Sequence, residues 1–569
     1  MAVENLITEH IDIWTSAVKT KSTSGRGSSK KLELYGIKKL RKLILELAVH
    51  GKLVPQDPND EPADILVQRI MAKKKELLAD GTLKKTKKSK VHDAIISAEE
   101  LPLGWVAADF GDITFNLDAQ RIPLSVSERK GRQGIYDYYG ASGVIDSIDA
   151  YLFDKPLLLI GEDGANLVNR STPIAFMARG KYWVNNHAHV IDGISEDFLI
   201  YLSLYINSIS LIPYITGMAQ PKMNQAKMNS ILVLLPPEKE QHRIVAKVDE
   251  LMALCDQLEQ QTEASIEAHQ VLVTTLLDTL TNSADADELM QNWARISEHF
   301  DTLFTTEESI DQLKQTILQL AVMGKLVPQD PSDEPAAELL KRIAEEKAQL
   351  VKEKKIKKQK ALPPIAEDEK PFELPSGWEW CSLSSLGHFF GGKTPSKSNS
   401  SFWGGDVLWV TPKDMKRTHI DDSEDKITQA GVDSGLALVE VNSLMCVTRS
   451  GILRRHFPVA LAKKQCTVNQ DLKVLSFYDK SVADYVLLMM QGFEQHILDK
   501  LTKTGTTVES LKFDEFSVYP FMFPPLKEQR RIVSKVEDLM IMCEELKARL
   551  KYSQITQQQL TDAIAGQAV

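Results

Sequence analysis

Apolar residues return every three or four positions after two proline pairs in this chain. After Pro236-Pro237 they fall at Ile244, Val248, Leu251, Cys255 and Leu258. After Pro524-Pro525 they fall at Ile532, Val536, Leu539, Cys543 and Leu546. This alternation of four and three is the seam of a coiled-coil helix. Glu238 and Glu240 stand in the first turn, where the helix dipole favours acidic groups. The pattern runs on less regularly to about residue 281, which predicts one helix of about 40 residues, roughly 60 Å long. LRKLILELAV at 40–49 and QLKQTILQLAV at 312–322 predict two more helices, with Gly51 and Gly324 as stops. Beyond Gly51, Asp60 is expected to cap the next helix, with Pro62 tolerated in its first turn.

Elsewhere the pattern is that of strands. LLLIGEDG, YWVNNHAHVI, DVLWVTP, SLMCVTRSG and CTVNQDLKVL are short apolar runs ending in polar tips. They lie within 106–235 and 379–523, each of which also has a helical segment near its end. VNNHAHV at 184–190 aligns with VNQDLKV at 468–474, and Thr216-Gly217 with Thr504-Gly505. The two intervals read as one mixed fold with diverged surfaces.

An internal repeat sets the order of these parts. LAVHGKLVPQDPNDEPA at 47–63 returns as LAVMGKLVPQDPSDEPA at 320–336, an offset of 273 that also carries LPLGW at 101–105 onto LPSGW at 374–378. PPEKEQHRIVAKVDELMALC at 236–255 returns as PPLKEQRRIVSKVEDLMIMC at 524–543, an offset of 288. The difference of 15 residues must be absorbed between LPxGW and PPxKEQ, so length varies only inside the two mixed intervals. The central frame carries both blocks together, whereas the ends carry one each. Closing the chain into a ring makes the two frames equivalent, which predicts a pseudo-two-fold molecule with its termini close together.

Composition adds little to this picture. Hydrophobic residues are 43% and charged residues 26% of 569, ordinary for a globular protein of several domains. Five scattered cysteines form no CxxC, so neither a zinc ribbon nor a disulfide framework is expected, and a reducing, cytoplasmic compartment fits. MAVENLITEH has early acidic residues and no apolar core, unlike a secretory signal. Residues 198–221 lack charge, but Asn207, several serines and Pro213 favour a buried helix over a membrane span. A net charge of −10 does not by itself suggest nucleic-acid binding. Charge is segregated, however, with lysines at 73–75, 84–85, 87–88 and 90 and again across 352–360. These tracts are either solvated linkers or phosphate contacts beside the next domain.

Two variable domains introduced by LPxGW, each closed by a PPxKEQ helix in a duplicated frame, resemble the specificity subunit (S, HsdS) of Type I restriction-modification enzymes. The extended N-terminal frame looks like their IB-like branch. GGKTPSKSNSSFWGGDVLWVTPKDM at 391–415 resembles a common opening of their recognition domains. YYGASGVID at 138–146 with LLLIGEDGAN at 157–166 resembles another. The resemblance spans essentially the whole chain. It implies an α/β (α+β) fold: two globular mixed α/β target-recognition domains joined by two long-helix regions packed as an antiparallel coiled-coil spacer. The expected division is an N-terminal helical region at 1–100, recognition domains at 101–235 and 374–523, a central spacer at 236–373 and a C-terminal helix at 524–569. Double-stranded DNA, two methyltransferase subunits and two restriction subunits are the implied partners, with no membrane. S-adenosylmethionine, ATP and Mg2+ are expected on those partners and none on this chain. The alternative is a non-catalytic coiled-coil scaffold that binds protein.

Phosphate contacts position such a reader and base-edge contacts specify sequence. Loop residues with bidentate or amide chemistry are the candidates. In the first domain these are Tyr139, Ser142, Glu162, Asn166, Asn185, His187 and Lys222. In the second they are Lys393, Thr394, Lys413, Lys416, Arg449, Asn469 and Lys503, and Arg449 follows a strand end from which it could fork onto a guanine. The alternative for each is an ordinary solvated loop.

Three motifs suggest chemistry that their surroundings deny. Gly387 to Thr394 matches GxxxxGK[ST], but Pro395 follows where a phosphate-binding helix should begin. His187 and His189 should share one face of a strand, yet no third metal ligand is near in sequence. Glu162-Asp163 lacks the partner motif of a catalytic carboxylate pair, and reads equally as an acceptor for a cytosine amino group or as an ordinary turn. With no methyltransferase or glycine-rich cofactor motif either, the chain is expected to catalyse nothing.

Overall fold

The protein is described from a computed structural model covering residues 3–21, 31–85, 101–217, 220–284, 286–358, 365–366, 370, 374–505 and 508–568. It divides into two units, residues 1–265 with 552–569, and residues 266–551.

In the first unit, α1 (Tyr35–Val49) and α2 (Ala63–Ala79) form the frame with the opening of α3 (Glu238–Thr281). The α3 seam residues Ile244, Val248, Leu251, Cys255 and Leu258 are buried in one core with Leu40, Leu43, Ile44 and Leu47 of α1. Arg41 clasps the outer edge of this packing through Asp256 at 2.5 Å and Glu259 at 2.8 Å. Gly51 ends α1 at φ +67°, where a Cβ would lie 2.6 Å from Pro102, so a side chain is excluded twice over. Asp60 does not cap α2. Pro62 occupies that position, Gly104 O accepts the Ala63 N–H, and the Asp60 carboxylate instead pairs with Arg243 of α3 at 2.6 Å.

The second unit repeats this frame with α4 (Glu307–Val322), α5 (Ala336–Lys352) and α6 (Leu526–Ala568). Ile532, Val536, Leu539, Cys543 and Leu546 are buried with Leu313, Ile317 and Leu320 of α4. Lys314 pairs with Glu544 at 2.5 Å where Arg41 pairs with Asp256, and Arg531 holds Asp333 at 2.7 Å where Arg243 holds Asp60. Every equivalence follows the two sequence offsets. The last turns of α6 belong to the first unit, where Asp562 accepts from Tyr35 at 2.8 Å and pairs with Lys39 at 2.6 Å. Both ends of the chain therefore contribute to one frame, as the ring order of the repeat requires.

Each frame carries a mixed domain whose first and last strands pair with each other. Val106–Asp109 pairs with Leu232–Leu235, and Glu379–Cys381 with Phe521–Phe523. The LPxGW tryptophan lies just before that pairing. Trp105 Nε1–H donates to buried Glu240 at 3.0 Å, and Trp378 Nε1–H to buried Glu528 at 3.1 Å. A buried hydrogen bond so ties each domain opening to the helix that closes it.

In the first domain β1 (Gln133–Gly140) pairs antiparallel with Gly143–Ile148 and parallel with β3 (Tyr182–Val184). A second, antiparallel sheet runs Phe115–Asn116, β4 (Ala188–Asp192), β2 (Leu157–Gly161), Ala175–Ala178. All five residues of β2 are buried, and the helix Glu196–Ser208 packs on this sheet. That helix absorbs much of the uncharged stretch, and no helix among the described residues is long and apolar enough to cross a membrane. In the second domain β5 (Trp403–Val410) lies parallel to β7 (Cys466–Val468). The larger sheet runs Gly387–Gly391, β8 (Leu472–Phe477), β6 (Leu444–Val447), Val459–Ala462, His419–Ile420. Gly387–Gly391 is thus extended strand, and no helix follows Thr394 directly.

Candidate nucleic-acid interface

YWVNNHAHVI does not form one strand. Asn185 breaks it, because its Oδ1 accepts the His187 N–H at 2.8 Å, and the halves enter different sheets. His187 and His189 consequently part company instead of sharing a face. His187 is exposed on the turn, with Nδ1 2.8 Å from Asp163 Oδ2. His189 is 1% exposed, with Nδ1 2.7 Å from Asp118 Oδ2 and Nε2 2.9 Å from Met223 O. Burial opposes its protonation, but Asp118 outweighs that and holds its pKa above the ordinary value. Both ring nitrogens face acceptors, which suits an imidazolium. No group of three His, Cys, Asp or Glu side chains suited to a metal occurs among the described residues.

Glu162 lies beneath this turn. Its Oε2 takes Arg121 Nη1 at 3.0 Å and its Oε1 pairs with Lys222 at 3.1 Å. The β1 hairpin turn closes over the same place, since a Cβ on Gly161 would stand 2.6 Å from Ala141 O. Tyr139, at the end of β1, stacks on Phe176 at 6.0 Å between centroids, and its carbonyl accepts the Asn185 N–H at 3.1 Å. Ser142, Asp163, His187 and Lys222 are therefore gathered on one rim.

The second domain builds the same rim. Asn469 Oδ1 accepts the Asp471 N–H at 3.0 Å, and the Asn469 N–H donates to Val410 O at 3.0 Å. Thr448 N–H donates to Asp471 O as Glu162 N–H does to His187 O, both at 2.8 Å. Leu511 N–H then donates to Thr448 O at 2.9 Å, as Met223 N–H does to Glu162 O at 2.8 Å. Arg449 bridges Ser510 where Asp163 bridges Lys222. Lys503 pairs with Ser510, Thr394 donates to Gln470 at 2.6 Å, and Lys393 N–H bonds Val468 O at 3.0 Å. Lys413 and Lys416 are exposed on the turn after β5.

One backbone network thus holds different side chains in two copies. Residues 102–268 and 375–557 match the Type I restriction modification DNA specificity domain. The chain is 40% identical to the Type I restriction enzyme EcoAI specificity subunit of Escherichia coli, across all of both chains. It is 41% identical to the EcoEI specificity subunit of Escherichia coli, again across all of both. This chain belongs to the Type I restriction enzyme specificity subunits. Among solved structures it is similar to the HsdS subunit from Thermoanaerobacter tengcongensis, with 16% identity, a TM-score of 0.37, and coverage of 82% of this chain and 97% of that one. As a specificity subunit it carries DNA sequence specificity for a restriction-modification complex and not the catalysis.

Within this specificity subunit the candidate side chains divide by what they already bind. Glu162, Asn166, Asn185 and Asn469 are engaged by partners within the protein. Glu162 is 9% exposed and doubly ion-paired. Asn185 and Asn469 are 4% and 6% exposed and close turns, and Asn166 bonds Ser171 and Thr172 of its own loop. Tyr139 is half-buried in its aromatic stack. Ser142, His187, Lys222, Lys393, Lys413, Lys416, Arg449 and Lys503 stay exposed. Asp118 and Arg121 escaped the sequence reading. Asp118 and Arg121 stand more than 40 residues before Glu162, and no local spacing links them to it. In the lysine tract, Lys74 Nζ is held by Thr114 O at 2.8 Å and by Gly111 O, so this lysine fastens α2 to the domain. Lys87, Lys88, Lys90 and Lys360 lie outside the described residues.

Proposed function

We propose that the chain reads an asymmetric bipartite DNA target, one half-site per mixed domain, across a fixed unread gap. The observation carrying this reading is the shared rim. Equivalent backbone hydrogen bonds present Asp163, His187 and Lys222 in one domain and Arg449, Asp471 and Ser510 in the other. A common scaffold with exchanged donors and acceptors is what two readers of different base sequences need. The domain limits are those of the repeat: helical regions at 1–100, 236–373 and 524–569, and recognition domains at 101–235 and 374–523. The complex holds two methyltransferase and two restriction subunits, directs N6-adenine methylation and ATP-dependent cleavage of double-stranded DNA, and acts in the cytoplasm. S-adenosylmethionine, ATP and Mg2+ belong to those partners. The long N-terminal frame supports membership of the IB-like branch.

The test is a methylome. The chain is co-expressed with its methyltransferase partner in a methylation-free host, and N6-methyladenine is mapped. One asymmetric motif of two elements with a constant gap is the expected result. An active, assembled complex that adds no motif would favour a protein-binding scaffold.

A further inference from the structure

The rim residues correspond position by position, and their polarity is reversed. Asp163 follows β2 by two residues, as Arg449 follows β6. Each forms an isolated bridge to the strand that returns across the rim, at Lys222 and Ser510 respectively. The preceding residues, Glu162 and Thr448, donate their N–H to His187 O and Asp471 O at the same 2.8 Å. A basic ring in the first domain therefore stands where the second has a carboxylate, and a carboxylate stands where the second has a guanidinium. Asp163 is partly open to solvent, tied only to the exposed His187 among the described residues. Arg449 is exposed and has no ion-pair partner among them. By contrast Glu162 is closed off by Arg121 and Lys222, and Asp471 is drawn toward Asn469, whose Nδ2 lies 3.2 Å from its Oδ2.

We infer that 163 and 449 are one base-reading position used in opposite hydrogen-bonding senses. Arg449 offers only donors and takes a guanine edge, where O6 and N7 accept. Asp163 offers only acceptors and takes an amino-bearing edge, cytosine N4 or adenine N6. His187 orients the Asp163 carboxylate from the side and leaves it oxygen lone pairs for a base. Because each position has the same place on an equivalent domain and frame, each reads the base pair at the same distance from the methylated adenine of its own half-site. This assignment rests on the bipartite reading proposed above.

The experiment compares methylomes of the complex carrying the wild-type chain, Arg449→Ala and Asp163→Ala. Arg449→Ala should lose about tenfold or more of the discrimination for guanine at one position of one half-site. Asp163→Ala should lose a similar factor at one cytosine or adenine position of the other half-site. The untouched half-site in each variant reports that the complex is folded and active. The two relaxed positions should lie the same number of base pairs from their methylated adenines. Methylation that falls evenly on all sequences would make the side chain a phosphate anchor and overturn the assignment. Relaxed positions at different distances, or of the wrong base type, would also overturn it. A wild-type complex without any motif would overturn the bipartite reading itself, and this assignment with it.

Discussion

A charged group enters a protein interior only with a partner, and His189 shows the consequence for one domain. Its ring is buried between Asp118 Oδ2 at 2.7 Å and Met223 O at 2.9 Å, and Asp118 Oδ1 also accepts the Val190 N–H at 2.8 Å. This network pins β4 beneath the rim that carries His187. Removing the ring deletes the nearest partner of the buried Asp118 carboxylate, which keeps Arg121 at 3.5 Å and hydrogen bonds from Asn116, Gln225 and the Val190 N–H, so His189→Ala should cost about 1–3 kcal/mol. The pH dependence follows from the raised pKa. The stabilisation is complete below the unfolded histidine pKa of about 6.5 and is lost as pH rises through the higher folded value. Thermal unfolding of the chain from pH 6 to 9 should show this fall, and His189→Gln should flatten it. An identical slope in the variant would assign it to another group.

The junction between domain and long helix repeats the problem at the scale of an element. In the first turn of α6 Glu528 is buried against Trp378, and one carboxylate oxygen, Oε1, has no partner among the described residues. Burial pushes its pKa up to about 7, against the pull of the Trp378 hydrogen bond and of Arg531. Burial also raises the pKa of Glu240 at the start of α3, against the pull of Trp105 and Arg243. An unfolded glutamate ionises near 4.3, so folding takes up a proton between there and about 7. The stability that this junction contributes is present below that window and is lost as pH rises through it. Glu528→Gln keeps an acceptor for Trp378 and removes the cost of charging. It should raise stability at pH 8 by roughly 1–3 kcal/mol and change little at pH 5. Urea unfolding at the two pH values measures both, and a variant weaker at pH 8 would mean that the ionised carboxylate is the stabilising form.

For the molecule as a whole, the bipartite reading proposed above makes the two long helices the ruler between half-sites. α3 begins in the first unit and ends in the second across 44 residues, and α6 begins in the second and ends in the first across 43. Inserting seven residues at 265/266 and seven at 551/552 preserves the seam, because seven is its period. The added rise is about 10 Å, close to three base pairs of B-DNA. The methylated motif should keep both elements while its gap grows by about three base pairs. An unchanged gap would remove the helices from any role as a ruler.

Much of this protein was decided along the chain itself. The seam spacing, the stops at Gly51 and Gly324 and the two repeat offsets depend on local periodicity and on copying, both of which a single sequence displays. They suffice for the frame and for the family. The interface was legible only as a set of polar loop tips. Whether Glu162 faces DNA or Arg121, and whether His189 lies beside His187 or beneath it, depends on residues more than 40 positions apart in the chain. Asp60 likewise looks like a helix cap until Arg243 of a distant helix claims it. Such pairings arise when burial removes water and leaves each polar group to find its partner in space. Tertiary structure therefore decided which of the candidates are already engaged within the protein, and it gave Asp163 and Arg449 equivalent backbone pairings.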